Sequence, residues 1–154
     1  MSVTVRTLFE QNREQLQLRW LTGEAGADRD AAPGSTEPAD LVGYLNLIHP
    51  NRIHVFGHAE FAYTRRIGAT RCAALNEDLV AGHPPAVIVA DGLEPPADLL
   101  ERATANGLPM LGTPLPAARI IEFLRVYLTK AIAKTCSMHG VLMDVLGMGV
   151  LISG

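Results

Sequence analysis

Apolar positions recur at three- and four-residue spacing from Pro116 to Lys134, where Ile121, Leu124, Leu128 and Ile132 fall on one stripe. That period predicts the longest helix of the chain, a covering or connecting element, with Lys130 and Lys134 at the end where cations suit the helix dipole. Upstream the pattern breaks into shorter pieces. Thr4 is placed to cap a first helix carrying Val5, Leu8 and Phe9 on one side, and Leu16 to Leu21 reads as a strand closed by Thr22-Gly23. The run GEAGADRDAAPGSTEP, Gly23 to Pro38, punctuates rather than packs, so an exposed and mobile loop is expected.

Asp40 to Leu47 has short-helix spacing, and Arg52 to Phe56 reads as a strand stopped by Gly57. Helical material follows from Glu60 to Val80, broken near Gly68. Pro85 to Ala90 (PAVIVA) is a continuous apolar run between turn signals, the mark of a strand covered on both faces. Pro95 and Pro96 then start a helix with Leu99, Leu100 and Ala103 inward and Asn106-Gly107 as its C-cap, before a strand at Leu108 to Leu111. Strand, helix and strand in that order make a parallel βαβ unit. The expected fold is therefore α/β, a small parallel or mixed sheet with flanking helices. Beyond Thr135 the pattern changes, and His139 to Val145, a turn at Leu146 to Gly149 and Val150 to Ser153 predict a β-hairpin. Two units are expected, 1–134 with the connecting helix and 135–154 as the first strands of a second domain.

Composition narrows the class. With 154 residues, 48% apolar and 19% charged, the chain is globular material able to bury a core without staples. Its net charge of −3 comes from interspersed acids and bases, which argues against a nucleic-acid partner. No apolar stretch approaches the length of a membrane span, Met1 to Arg19 lacks a signal-peptide core, and Cys72 and Cys136 are too few for a disulfide framework. A reduced, cytoplasmic protein without a membrane partner is expected.

Candidate chemistry is sparse. His54 and His58 are spaced like a helical metal pair, but Gly57 intervenes and His54 lies in a strand, so no metal site is expected. His49 and His83 adjoin prolines in turns. Gly147-Met148-Gly149 lacks the third glycine and the helix of a dinucleotide fingerprint. Asp144 is expected on the outer face of a strand, Cys72 and Cys136 have no local base to activate a thiol, and Met138, Met143 and Met148 read as core filler.

Three stretches carry a resemblance. DGLEPPADLLERATANGLPMLGTPLPAARIIEFLRVYL, the later HGVLMDVLGMGVLISG, and the opening VRTLFEQN with GEAGADRD resemble the N-terminal part of bacterial HPr kinase/phosphorylase, most specifically at Gly92 to Pro96 and at His139-Gly140. The resemblance implies a domain similar to the N-terminal domains of Mur ligases, followed by the start of a kinase domain. It implies an enzyme that phosphorylates a serine of the carrier protein HPr with ATP or pyrophosphate and magnesium, reverses this by phosphorolysis, and assembles as a hexamer. The strand at Val150 to Ser153 would lead into a G-x-x-x-x-G-K-[ST] phosphate loop whose first glycine is Gly154, and His139 matches the family's active-site histidine. The lysine, the metal ligand and the base of that family fall beyond Gly154, so 1–154 alone is expected to be inactive and to bind no cofactor.

A competing reading is a free-standing small-ligand sensor or oligomerisation module, with its crevice at the carboxyl ends of the parallel strands near Asp91-Gly92. A self-contained enzyme ranks last, for want of paired carboxylates or an activated nucleophile. An unpaired hairpin from Val141 to Ser153 is also expected to fray or to pair with another chain, making a homo-oligomer.

Overall fold

A computed structural model of the chain describes residues 3–33, 37–47 and 50–147, with side chains as far as Lys134. A five-stranded sheet lies between two helical layers, in the order β1-β5-β4-β3-β2. The strands are β1 (Arg19–Thr22), β2 (Val42–Tyr44), β3 (Ile53–Phe56), β4 (Val87–Val89) and β5 (Met110–Gly112). From β2 to β5 all neighbours are parallel, and β1 closes the far edge antiparallel to β5. This is the α/β class that the strand–helix alternation implies.

The helices are α1 (Val5–Asn12), α2 (Pro38–Leu41), α3 (His58–Ile67), α4 (Ala69–Ala81), α5 (Ala97–Asn106) and α6 (Ala117–Gly147). Thr4 caps α1 by accepting a hydrogen bond from the Thr7 amide at 3.1 Å. Gly68, at φ 85°, separates α3 from α4, and Gly107, at φ 64°, ends α5 as its left-handed cap. One face of the sheet, with Val55, Ile88 and Leu111, packs on Leu8 of α1 and on Ile120, Leu124 and Leu128 of α6. The other, with Phe56, Val87, Val89 and Met110, packs on Leu79 of α4 and Leu99 of α5. Strands covered on both faces must be apolar at every position, which is why VIV in β4 is buried throughout.

Four expectations change. Asp40 to Leu47 is not one helix: α2 stops at Leu41 and the chain extends as β2, because Val42 and Gly43 gain a parallel ladder on β3 and burial that a further helical turn lacks. The strand expected from Leu16 begins only at Arg19, since Gln17 takes a left-handed turn at φ 53° while Leu16 and Leu18 are buried beside it. The described part of the Gly23–Pro38 run is not loose. The Arg6 amide donates to the Ala27 carbonyl and the Ala31 amide to the Val3 carbonyl, both at 2.8 Å, and Ala27 and Ala31 are fully buried.

The fourth change concerns the C-terminal segment. The backbone stays helical through Gly147, so the strand expected from His139 to Val145, with Asp144 on it, is helix instead. A continued helix satisfies its backbone internally, and one glycine at 140 costs only about 1 kcal/mol. No change of element marks the boundary expected near Thr135. The second strand of the expected hairpin, Val150 to Ser153, and Gly154 lie outside the described residues.

Candidate functional site

The carboxyl ends of the parallel strands are the natural place for a site, and the topology marks one gap among them. After β3 and β4 the chain passes to the face covered by α3, α4 and α5, while after β5 it passes to the face covered by α1 and α6. Adjacent strands β4 and β5 therefore send their connections to opposite sides, the geometry that opens a ligand crevice in doubly wound sheets.

Here the crevice is bridged by main chain. The Asp91 amide donates to the Leu115 carbonyl at 2.8 Å, the Gly92 amide to the Thr113 carbonyl at 3.0 Å, and the Thr113 amide to the Val89 carbonyl at 3.0 Å. Asp91 and Gly92 both take positive φ, 60° and 68°, to make this turn. An aspartate tolerates the left-handed region better than most residues. Its carboxylate then faces the start of α3, where Oδ2 accepts from the His58 amide at 3.3 Å. Glu60 completes the cap by accepting from the Gly57 amide at 2.9 Å. A Cβ at Gly57 would lie 3.0 Å from both Asp91 Oδ2 and the Ala117 Cβ, so the space is filled by the protein's own atoms. The arrangement locks three strand ends together, and both of its carboxylates already serve as helix caps.

The remaining sequence candidates scatter. His54 is wholly buried in β3 with Nδ1 accepting from the Asn46 amide at 3.3 Å, while His58 opens α3. His83 sits in a turn at φ 49°, and His49 lies outside the described residues. Cys72 is half-buried in α4, 3.8 Å from the Asn76 amide nitrogen. Cys136, His139 and Asp144 lie on the helical backbone of α6, beyond the last described side chain. Among the described residues no group of three or more His, Cys, Asp or Glu could hold a metal ion.

A second site was not legible in the sequence. Phe9 of α1 and Trp20 of β1 stack at 5.1 Å between ring centroids, and Arg13 lies 5.8 Å over the Phe9 ring. With Arg6, Leu18 and Arg19 they line an open groove of about 330 Å³. Its one advance signal was the chain's single tryptophan near three arginines, which no spacing motif singles out.

A mixed five-stranded sheet sandwiched by helices, with main chain bridging the ends of β4 and β5, defines an α/β domain. A family profile described as "HPr Serine kinase N terminus" matches residues 3–128, and the chain belongs to that family. The chain is 45% identical over 152 residues to an HPr kinase/phosphorylase of Bordetella petrii, covering 99% of the chain and 49% of the relative. Proteins of the same name from Ralstonia nicotianae (44% over 156 positions) and Cupriavidus pinatubonensis (46% over 157) each share 99% of the chain and 48% of their own length. The chain thus spans about half the length of the curated relatives it matches.

Proposed function

We propose that this chain is the N-terminal part of an enzyme that phosphorylates a serine of HPr with ATP or pyrophosphate and magnesium, and reverses the reaction by phosphorolysis, in carbon-catabolite control in the cytoplasm. The observation that carries the proposal is the identity of 45% spread over 99% of the chain, to relatives bearing the name HPr kinase/phosphorylase. In this reading residues 1–134 support and assemble the enzyme as a homo-oligomer, and the kinase domain begins near Thr135. A phosphate loop opens at Gly154, where backbone N–H groups and a helix N-terminus cradle the phosphates while a lysine and a hydroxyl handle charge and magnesium. His139 serves that domain by hydrogen bonding or charge at the transferred phosphoryl group. Residues 1–154 alone hold no cofactor and transfer no phosphate. The sealed turn at Asp91-Gly92 favours this supporting role over a ligand sensor at the same place.

The test is to read the gene past the Gly154 codon and to assay the product of the whole open reading frame. Four arbitrary residues followed by Gly-Lys-Ser or Gly-Lys-Thr, and transfer of labelled phosphate from ATP to an HPr serine, are the expected results. Residues 1–154 expressed by themselves should transfer none. Unrelated sequence after Gly154, or a complete product that leaves HPr unmodified, overturns the proposal.

A further inference from the structure

Of the asparagines in the chain, only Asn106 precedes a glycine. The pair ends α5, where Asn106 is exposed and Gly107 takes the left-handed cap at φ 64°. Lacking a Cβ, the glycine leaves its amide nitrogen unhindered for attack on Asn106 Cγ, which closes a five-membered succinimide ring.

In the folded chain both reacting groups are held. The Asn106 Nδ2–H donates to the Arg102 carbonyl at 2.8 Å, and the Gly107 amide donates to the Ala103 and Thr104 carbonyls. The Asn106 carbonyl accepts from Arg29 Nη2 at 3.3 Å, and Arg29 Nη1 donates to the Pro84 carbonyl at 2.8 Å. The Gly23–Arg29 loop is pressed against the same junction: a Cβ at Gly26 would lie 2.0 Å from the Gly107 carbonyl oxygen. Ring closure turns the Asn106 side chain away from Arg102 and draws the Gly107 nitrogen off its carbonyls, so the last turn of α5 has to open first.

We propose that Asn106 is a deamidation site gated by the α5 C-cap, whose isoaspartate product sets a carboxylate beside Arg29. The Gly107 nitrogen, its proton lost to solvent base, bonds to Asn106 Cγ; the Cγ–Nδ2 bond breaks and ammonia leaves. Water then opens the ring. Cleavage at the Cγ carbonyl gives aspartate, and cleavage at the main-chain carbonyl leaves Gly107 joined through Cγ, which is isoaspartate. In that product the former main-chain carbonyl, the group Arg29 contacts, is a free carboxylate, so a neutral hydrogen bond becomes an ion pair. The main chain also gains a methylene between α5 and β5, where Gly26 rests on it. The reaction consumes water alone and is independent of phosphoryl transfer.

The experiment incubates the chain in warm, mildly alkaline buffer, folded and in denaturing urea, and follows every asparagine by peptide mapping that separates isoaspartate from aspartate. Asn106 should convert faster than any other asparagine, and about tenfold more slowly in the folded chain than in urea. An Arg29→Ala variant with unchanged circular dichroism should convert faster when folded and at the parent's rate in urea. The new isoaspartate carboxylate should titrate lower in the aged parent chain than in aged Arg29→Ala. No conversion of Asn106 in urea, or equal rates folded and unfolded, overturns the proposal from the parent chain alone. A folded rate that Arg29→Ala leaves unchanged, or a carboxylate that titrates alike in both chains, overturns it as well.

Discussion

The Thr113 hydroxyl donates to the Leu16 carbonyl oxygen at 2.6 Å, joining positions 97 residues apart at a fully buried point. The Thr113 hydroxyl oxygen in turn accepts from the Leu115 amide at 3.2 Å, so one side chain fixes the exit of β5 and the approach to β1. Replacing it with the near-isosteric valine leaves a buried carbonyl and an amide without their partner. Thr113→Val should lower stability by about 1–3 kcal/mol, read as a shift in the urea midpoint at constant slope. Thr113→Ser should keep most of it, and equal loss in both variants would point to packing of the methyl group instead.

Gly23 and Gly107 test two glycines that share a left-handed backbone and differ in surroundings. Their φ values are 76° and 64°, but a Cβ at Gly23 would lie 1.9 Å from the Leu108 carbonyl oxygen, while at Gly107 nothing lies within 4 Å. Gly107→Ala should cost about 1–2 kcal/mol, the conformational term alone. Gly23→Ala should cost clearly more, because backbone must move. Thermal unfolding of the two variants side by side checks the order; equal losses would show that the Leu108 contact relaxes freely.

These two positions also show what the sequence made legible. Asn106-Gly107 is readable as a C-cap because the requirement is local, and so are the Thr4 cap, the break at Gly68 and the buried run in β4. The contact of Gly23 with Leu108 is not local, and neither are the bonds that tie Ala27 and Ala31 to the N-terminal segment. Hence the described part of a glycine-rich run that looked loose is tied down at Ala27 and Ala31. Strand β2 escaped notice because VGY is too short to show a period and follows directly on helical spacing. The strand-end turn at Asp91-Gly92 could be placed from sequence, but not its closure, which depends on carbonyls from Thr113 and Leu115. The groove at Trp20 was invisible for the same reason, since Phe9 and Trp20 meet only when α1 folds over β1.

Arg52 and Arg125 guard the β2 edge, donating to the Tyr44 and Val42 carbonyls, at some electrostatic cost. Burial holds the Arg52 guanidinium below its ordinary value, the nearby Arg125 adds to this, and Asp40 opposes it. Arg125→Ala should therefore relieve repulsion on Arg52 while uncovering the Val42 carbonyl. The expected outcome is a modest change in stability together with concentration-dependent association through the exposed edge, measured by analytical ultracentrifugation. A variant that stays as monodisperse as the parent chain would show that Arg52 alone suffices to block the edge.

Asp98 links α4 to α5 and sets the acid response of that layer. Its carboxylate is held below the ordinary value of 3.8, first by the hydrogen bond from Asn76 and then by the one from Arg102, with burial opposing. The Asn76 amide lies 3.0 Å and the Arg102 Nε 2.8 Å from the same oxygen, Oδ2. A depressed carboxylate binds its proton more weakly in the folded state, so the unfolded state takes up more protons on acidification. The stabilisation is accordingly present above the unfolded value, near 3.9 in model peptides, and is lost as pH falls through the lower folded value. Because the side chain is 46% exposed, solvent screens the pair and the effect on stability is small. Asn76→Ala, which removes the largest cause, should raise the Asp98 titration midpoint toward the ordinary value in an NMR titration, and Asp98→Asn should flatten the acid limb of the stability curve. An Asp98 midpoint unmoved by Asn76→Ala would assign the depression to Arg102, and then Arg102→Gln becomes the variant that restores it.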